Sequence, residues 1–289
     1  MAGSRLESTS LGRTGCDVSR LGFGGAPAGL TGYLGHYSPQ EHDQRHQVIA
    51  AIQQARVAGV TYFDTAAAYG HGESEKIFGE ALGGNTSGIF LATKVSHREQ
   101  DVRGSLERSL RNLRVDRVDL VQVHGGSYSD ADEHAVMRPG GVLETLETAR
   151  EEGLLGHIGF TTEDQNAPVY RFIRSGCFDV MQIQYNMLFQ HPYSPDRPFG
   201  SMIEAENVHM GIVTMRGLTS GVFQKWMSAI RPHDAFDYSA ALLQFVLSNP
   251  LVDVALVGMR TPGEVDRNIA VLQDASGRVD LDGLHEKYV

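Results

Sequence analysis

Cysteine is nearly absent: Cys16 and Cys177 are the only two in 289 residues, and they lie far apart in the chain. That excludes a disulfide framework and a cysteine-based zinc site, and it predicts a reduced, cytoplasmic protein. Basic charge is also scarce. Lys and Arg number 25 against 35 Asp and Glu, a formal net charge of −10. A nucleic-acid partner, which needs clustered cations for its phosphates, is therefore not expected. A small anionic ligand is not excluded, because one local basic pocket suffices for it. No apolar run approaches the roughly 20 residues of a membrane-spanning helix, so no membrane partner is expected. Residues 1–8 lack the apolar stretch of a secretory signal. No Pro/Ser-rich linker or low-complexity tract divides the chain, so residues 1–289 read as one domain.

What is present is alternation. Short apolar, β-branched runs at 20–23, 60–63, 89–94, 118–124, 157–161, 180–184, 211–215 and 254–257 alternate with longer stretches of helical pattern. The helical stretches are 42–58, 74–82, 101–113, 141–152, 167–175, 202–207, 239–248 and 263–273. Near-continuous apolar strands suit a parallel sheet covered on both faces. Eight strand–helix units predict a closed (β/α)8 TIM barrel, with an open doubly wound α/β sheet as the alternative. Gly59 and Gly153 stand at helix stops, and Pro262 opens the last helix. Ahead of the first unit, 6–11, Gly12-Arg13-Thr14-Gly15 and 16–19 read as a β-hairpin expected to plug one end of the barrel. Long connections at 24–40, 125–139 and 216–238 follow strands, so they rise on the face where barrel active sites lie.

Polar residues end several apolar strands. Asp64 ends the second and Tyr69 follows in the next turn; Lys94 ends the third and His124 the fourth. Three adjacent strands thus bring a carboxylate, a phenol, an ammonium and an imidazole to one mouth. The stretch 59–75, Gly-Val-Thr-Tyr-Phe-Asp-Thr-Ala-Ala-Ala-Tyr-Gly-His-Gly-Glu-Ser-Glu, resembles the signature of the aldo-keto reductases. So do the stretch 105–120 and the run Gly156-His157-Ile158-Gly159-Phe160. The resemblance extends from the 11–15 turn to Asn268-Ile269. It implies a barrel that binds a nicotinamide cofactor without a Rossmann domain, and indeed 22–27 does not complete a G-x-G-x-x-G and no Walker loop occurs. It carries the family's catalytic tetrad onto Asp64, Tyr69, Lys94 and His124.

The chemistry follows from these residue types. Adding hydride to a carbonyl leaves negative charge growing on oxygen, and a proton donor must meet it. A free phenol, with a pKa of about 10, needs tuning. Lys94 is expected to tune Tyr69 downward, Asp64 to hold Lys94, and neutral His124 to orient the carbonyl.

The resemblance also implies cofactor positions. Gly24 and Gly25 lie at the first strand end. Thr161, Thr162 and Gln182 would hold the carboxamide, and Met215 stands where an aromatic usually stacks. Arg216, Leu218 and Ser220 belong to a pyrophosphate loop. Gly258, Arg260, Glu264 and Asn268 form the adenosine-phosphate segment at a helix start. Arg260 beside a 2′-phosphate favours NADP(H), with NAD(H) as the alternative, and Glu264 is expected to turn into water. Tyr128, Phe223 and Trp226 are candidate apolar walls for a small carbonyl or alcohol substrate. The tail after Gln273 is short, which predicts no long C-terminal loop over the substrate.

Other readings carry less. His42 and His46 have metal-ligand spacing but no H-E-x-x-H glutamate, so no metal is expected. A glycosidase would need two opposed carboxylates, and only Asp64 is well placed. A cofactor-binding regulatory subunit on the same barrel would keep the same tetrad and differs only in turnover.

Overall fold

The computed structural model describes residues 6–190, 200–233, 235–281 and 283. The expectation for the tail beyond Gly283 lies outside the described residues. Eight parallel strands close a barrel: β3 (Leu21–Gly24), β4 (Tyr62–Asp64), β5 (Phe90–Ser96), β6 (Val118–His124), β7 (Leu155–Thr162), β8 (Val180–Gln184), β9 (Gly211–Met215) and β10 (Val254–Gly258). β10 pairs with both β9 and β3, which closes the ring and rules out the open sheet. Helices α2 (His42–Val57), α3 (Glu73–Leu82), α4 (Val102–Leu113), α6 (Val142–Glu151), α7 (Ala167–Arg174), α8 (Ser201–Asn207), α10 (Ser239–Ser248) and α11 (Pro262–Gln273) follow the eight strands in turn.

The three long connections are not plain loops, as the sequence reading had them. Each carries a helix of its own: α1 (Ala26–Gly29), α5 (Asp130–Met137) and α9 (Val222–Ile230). α5 begins with a capping box, in which the Ser129 hydroxyl accepts from Asp132 N and the Asp132 carboxylate accepts from Ser129 N.

The strands place the site through their period of two. Phe63, Leu91, Val121 and Val123 face outward into the shell between barrel and helices. Tyr62, Phe90, Ala92 and Leu120 face inward and fill the lower lumen with Val180, Val213 and Val254. Further along β4, β5, β6 and β8 the inward face turns polar, at Asp64, Lys94, Gln122, His124 and Gln182. Strand register sets these beside one another: Asp64 is level with Gly24 and Ala92, Lys94 with Gln122, and Ser96 with His124.

The hairpin of β1 (Ser8–Ser10) and β2 (Asp17–Ser19) closes the lower end, as expected. Leu11 and Val18 are buried in the lower lumen. Gly12 sits at φ +45°, where a Cβ would run into the backbone of Met210 and Gly211. Glycine lets the hairpin turn press directly onto the start of β9.

Candidate active site

At the upper end the strands surround a cavity of about 460 Å³. Asp64 and Lys94 lie at its base, both buried. Lys94 Nζ donates to the Asp64 carboxylate and, at 2.8 Å, to Thr65 O. The other Asp64 oxygen accepts from Gln122 Nε2 at 2.9 Å. Every oxygen of the buried carboxylate thus has a donor, which such burial requires. Burial pushes the Asp64 carboxyl up against the pull of Lys94 and Gln122. Burial pulls the Lys94 ammonium down, but Asp64 and Tyr69 outweigh it and hold it above its ordinary value.

Tyr69 hangs in the turn between β4 and α3, where Tyr69 N donates to Ala66 O and Ser74 N donates to Tyr69 O, each at 3.1 Å. The next residue, Gly70, has φ +67°, and a Cβ there would strike Gly29 O. This close approach sets the backbone of the Tyr69 turn directly against the end of α1. Its ring centroid lies 4.9 Å from Lys94 Nζ and 5.6 Å from the His124 ring, edge to face. Burial raises the phenol above its ordinary value, and Lys94 offsets this only in part. The net direction reverses the expected downward tuning, because loss of water around the phenol outweighs one nearby ammonium. Burial, then the charges of Lys94 and His97, pull the His124 imidazole down to about 3, so it is neutral at pH 7.

Several cofactor candidates meet on the same cavity. Gly24, Gly25 and Gly258 form one side; Gln182, Met215 and Arg216 form another, continued by Leu218 and Ser220. Gln182 Nε2 lies 3.6 Å from Met215 Sδ, while its buried Oε1 has no hydrogen-bond partner among the described residues. Arg216 has φ +57° and pairs with Glu163 at 2.5 Å across the rim. Thr219, Ser220 and Gly221 all have positive φ, giving a strained turn ahead of α9.

Other candidates are placed differently. Thr161 lines the cavity, but its hydroxyl is taken up by the β6–α5 connection, donating to Gly125 O at 2.7 Å and accepting from Gly125 N at 3.0 Å. Thr162 is fully buried, and its hydroxyl holds the Asp164 backbone. Tyr128 is no wall: it is buried beneath the rim, its hydroxyl donating to Val123 O and Thr161 O at 3.0 Å each. Phe223 packs on Tyr238, and Trp226 is 54% exposed on α9; neither lines the cavity. The apolar walls are instead Leu30, Tyr33, Leu34 and Leu218.

Arg260 does not point at open solvent. Its Nε donates to Pro27 O at 3.1 Å, its Nη2 donates to Tyr33 O, and its guanidinium lies 4.2 Å from the Tyr37 ring centroid. It therefore ties down the segment that supplies Leu30, Tyr33 and Leu34. Glu264 is not turned into water either. Its carboxylate accepts from Arg260 N at 2.6 Å and Thr261 N at 3.2 Å, capping α11. Asn268 lies in the second turn of α11, half-buried and away from the cavity wall.

Sequence reasoning missed Gln122, His97, Glu163 and Tyr33. Gln122 was detectable as an inward-facing polar residue two positions before His124. His97, whose Nδ1 lies 2.9 Å from His124 O, follows the end of β5 and carried no such signal. Among the described residues, no group of three or more His, Cys, Asp or Glu is placed to hold a metal ion. Nor is any described helix long and apolar enough to cross a membrane.

Residues 20–276 match the profile of the Aldo/keto reductase family. The chain belongs to this family. It is an oxidoreductase by that membership, with the barrel the family shares. L-galactose dehydrogenase of Arabidopsis thaliana is 26% identical over 299 residues, covering 94% of this chain and 89% of that protein. An aldo/keto reductase from Klebsiella pneumoniae, solved with NADP and acetate, superposes with a TM-score of 0.72 at 19% identity. That match covers 97% of this chain and 94% of the other. The holo form of aldo-keto reductase AKR11C1 from Bacillus halodurans gives 0.73 at 20% identity, with 93% and 92% covered.

Proposed function

We propose that this aldo/keto reductase reduces aldehydes or ketones to alcohols, reversibly, with Tyr69 as proton donor and NADP(H) as the favoured cofactor. The observation that carries the proposal is the grouping of Tyr69 and His124 at the cavity floor, backed by the buried Lys94–Asp64 pair.

When bound, the nicotinamide cofactor supplies the hydride. The Gln182 amide fits it: a buried carbonyl oxygen on the cavity wall, without a partner among the described residues, is the acceptor that a carboxamide N–H needs. Met215 offers the ring a thioether surface. Leu218 and Ser220 would lie along the pyrophosphate, with Gly24, Gly25 and Gly258 leaving room beside it.

The chain's own residues handle the proton and the growing charge. The Tyr69 phenol is protonated at pH 7 and donates to the carbonyl oxygen; burial makes it a weaker acid, and Lys94 offsets that in part. Lys94 stabilises the phenolate left behind, and Asp64 keeps Lys94 charged and fixed. Neutral His124 donates an N–H to the same oxygen and orients it. Lys94 and Asp64 act on the phenol's charge and do not touch the substrate.

NADP(H) preference is supported by Arg260 at the start of α11. Its Nε and Nη2 are bonded to the 27–33 segment, while Nη1 carries no hydrogen bond among the described residues. Nη1 would reach a 2′-phosphate, with the α11 N-terminus behind it. Glu264 weighs against this, because its carboxylate occupies the Arg260 and Thr261 N–H groups at the α11 start and its charge acts on the Arg260 guanidinium. The NADP complex of the Klebsiella relative is consistent with this preference.

The apolar walls at Leu30, Tyr33, Leu34 and Leu218 favour apolar or aromatic carbonyls over multiply charged ones. The similarity to a sugar dehydrogenase adds aldoses to the substrates worth testing. The experiment is to follow oxidation of NADPH and NADH against aromatic aldehydes, aldoses and charged keto acids, and reduction of NADP+ and NAD+ against alcohols and aldoses. Turnover with apolar carbonyls and a lower KM for NADPH are expected. Cofactor binding with no turnover of any carbonyl or alcohol would replace this reading with that of a regulatory subunit.

A further inference from the structure

The opposite end of the barrel carries a second cluster of reactive side chains, independent of the reductase site. Cys16 leads into β2, and its Sγ lies 3.9 Å from His157 Nε2. The other ring nitrogen, His157 Nδ1, lies 3.7 Å from Asp179 Oδ2. A thiol, an imidazole and a carboxylate thus stand in line, drawn from the N-terminal hairpin, from β7 and from the residue preceding β8.

The line is held from several sides. Asp179 Oδ2 accepts from Ile158 N at 3.1 Å, and Arg13 and Arg150 flank the carboxylate at 3.4 and 3.9 Å. Burial pushes the Asp179 carboxyl up, but His157, Ile158 N and Arg13 outweigh it, leaving it ionised at neutral pH. The His157 ring stacks on Phe90, with centroids 6.1 Å apart and planes 21° from parallel. Asp119 is a second carboxylate that interacts with this imidazole. The Cys16 sulfur also lies 3.7 Å from Thr14 O, and the side chain packs against the apolar cluster of the lower lumen. Solvent has access: Gly15 and Asp17 are exposed, Cys16 is half-buried, and the His157 side chain is 24% exposed.

We propose that Cys16, His157 and Asp179 form a nucleophilic thiol site that reacts with small soft electrophiles, hydrogen peroxide in particular, and that Cys16 is the residue modified. His157 removes the thiol proton as the sulfur attacks, and Asp179 stabilises the imidazolium that results. With hydrogen peroxide an S–O bond forms and the O–O bond breaks. Sulfur loses two electrons to give sulfenic acid, and the peroxide is reduced. The imidazolium returns its proton to the departing hydroxide, which leaves as water. A small oxidant suits a half-buried sulfur that lies between the exposed residues Gly15 and Asp17 and outside the upper cavity.

Cys177 is the internal control. Its sulfur lies 3.6 Å from Ser175 O, with no imidazole beside it among the described residues. Native protein is treated with hydrogen peroxide, the sulfenic acid is trapped with dimedone, and each cysteine is quantified by peptide mass spectrometry. Cys16 should be labelled faster than Cys177 by about tenfold or more, less than the roughly 10²–10⁴ of a fully engaged general base because the sulfur–imidazole contact is 3.9 Å. His157→Gln should bring Cys16 down to the rate of Cys177 and leave Cys177 unchanged. Equal labelling of the two cysteines in the wild type, which needs no variant to fold, would overturn the proposal. So would a Cys16 rate that His157→Gln leaves unaltered. Asp179→Asn should reduce Cys16 labelling by a smaller factor, because the base remains but its imidazolium loses a counter-charge.

Discussion

Replacing Arg260 by alanine separates two roles that one side chain holds. Arg260 makes two charged-donor hydrogen bonds, to Pro27 O and Tyr33 O, and covers the Tyr37 ring. Hydrogen bonds from charged donors contribute roughly 1.5 kcal/mol or more each, and a half-buried cation–π contact adds about 0.5–1 kcal/mol. Allowing for partial exposure, the segment loses about 2 kcal/mol of anchoring. It does not melt, since Tyr37 Oη still donates to Ala28 O at 2.7 Å and Gly32 N to Tyr37 O at 2.8 Å. The walls Leu30, Tyr33 and Leu34 loosen, and kcat/KM for the carbonyl should fall roughly ten- to thirtyfold at 1.4 kcal/mol per decade. The assay is steady-state kinetics with each cofactor in turn. With NADH, which has no 2′-phosphate, the fall must still appear. With NADPH, a further loss of cofactor affinity is added to it. Arg260→Lys should recover part of the phosphate interaction but not the forked grip on two carbonyls. An Arg260→Ala enzyme with wild-type carbonyl kinetics under NADH would refute the clamp.

Three further outcomes follow from the fold and its titrating groups. Gly12→Ala should destabilise the protein by more than about 3 kcal/mol, because positive φ and a backbone clash at β9 act together; a melting temperature within a few degrees of wild type would count against the plug. His124 is held down at about 3, so between the unfolded value near 6.5 and pH 3 the unfolded chain binds a proton that the folded chain refuses. Stability should then fall by up to about 1.4 kcal/mol per unit as pH drops through that window, and His124→Phe should flatten the slope in urea titrations. Asp253 runs the other way: burial, opposed chiefly by Ile212 N, raises it to about 6, so its contribution is full below about 3.8 and is lost as pH rises through 6. Asp253→Asn should therefore raise stability at pH 8 by roughly 1–2 kcal/mol and leave pH 4 nearly unchanged, whereas an equal gain at both would point to another cause.

The barrel was legible because its strands are short apolar runs between helices, and three of them, β6, β8 and β9, begin and end where the pattern changes. Asp64, Lys94 and His124 were legible for a related reason. Each is the polar member of an inward-facing series that starts with an apolar residue lower in the lumen. What a loop side chain reaches depends on contacts distant in sequence, which periodicity does not carry. Arg260 grips a carbonyl 233 positions away. Tyr128 was read as a wall because it is an aromatic in a long connection, yet two strand-end carbonyls draw its hydroxyl inward. The helix in that connection had a readable sign, the Ser129–Asp132 spacing of a capping box. Glu264 had the same sign in Thr261-x-x-Glu264, which ties its carboxylate to the α11 cap and away from solvent. The direction of the Tyr69 shift was out of reach for a different reason. It is a balance between burial and one ammonium, and burial is fixed only by the folded chain.

Tyr69→Phe tests the central claim most directly. The variant keeps the ring against His124 and removes only the hydroxyl, leaving the Lys94–Asp64 pair and the Gln182 wall in place. Carbonyl kcat/KM should fall by about 10²–10⁴, the range of general acid catalysis, while the Kd for NADPH, read by fluorescence, stays within about twofold. A Tyr69→Phe enzyme that reduces carbonyls at the wild-type rate would show that the proton comes from elsewhere.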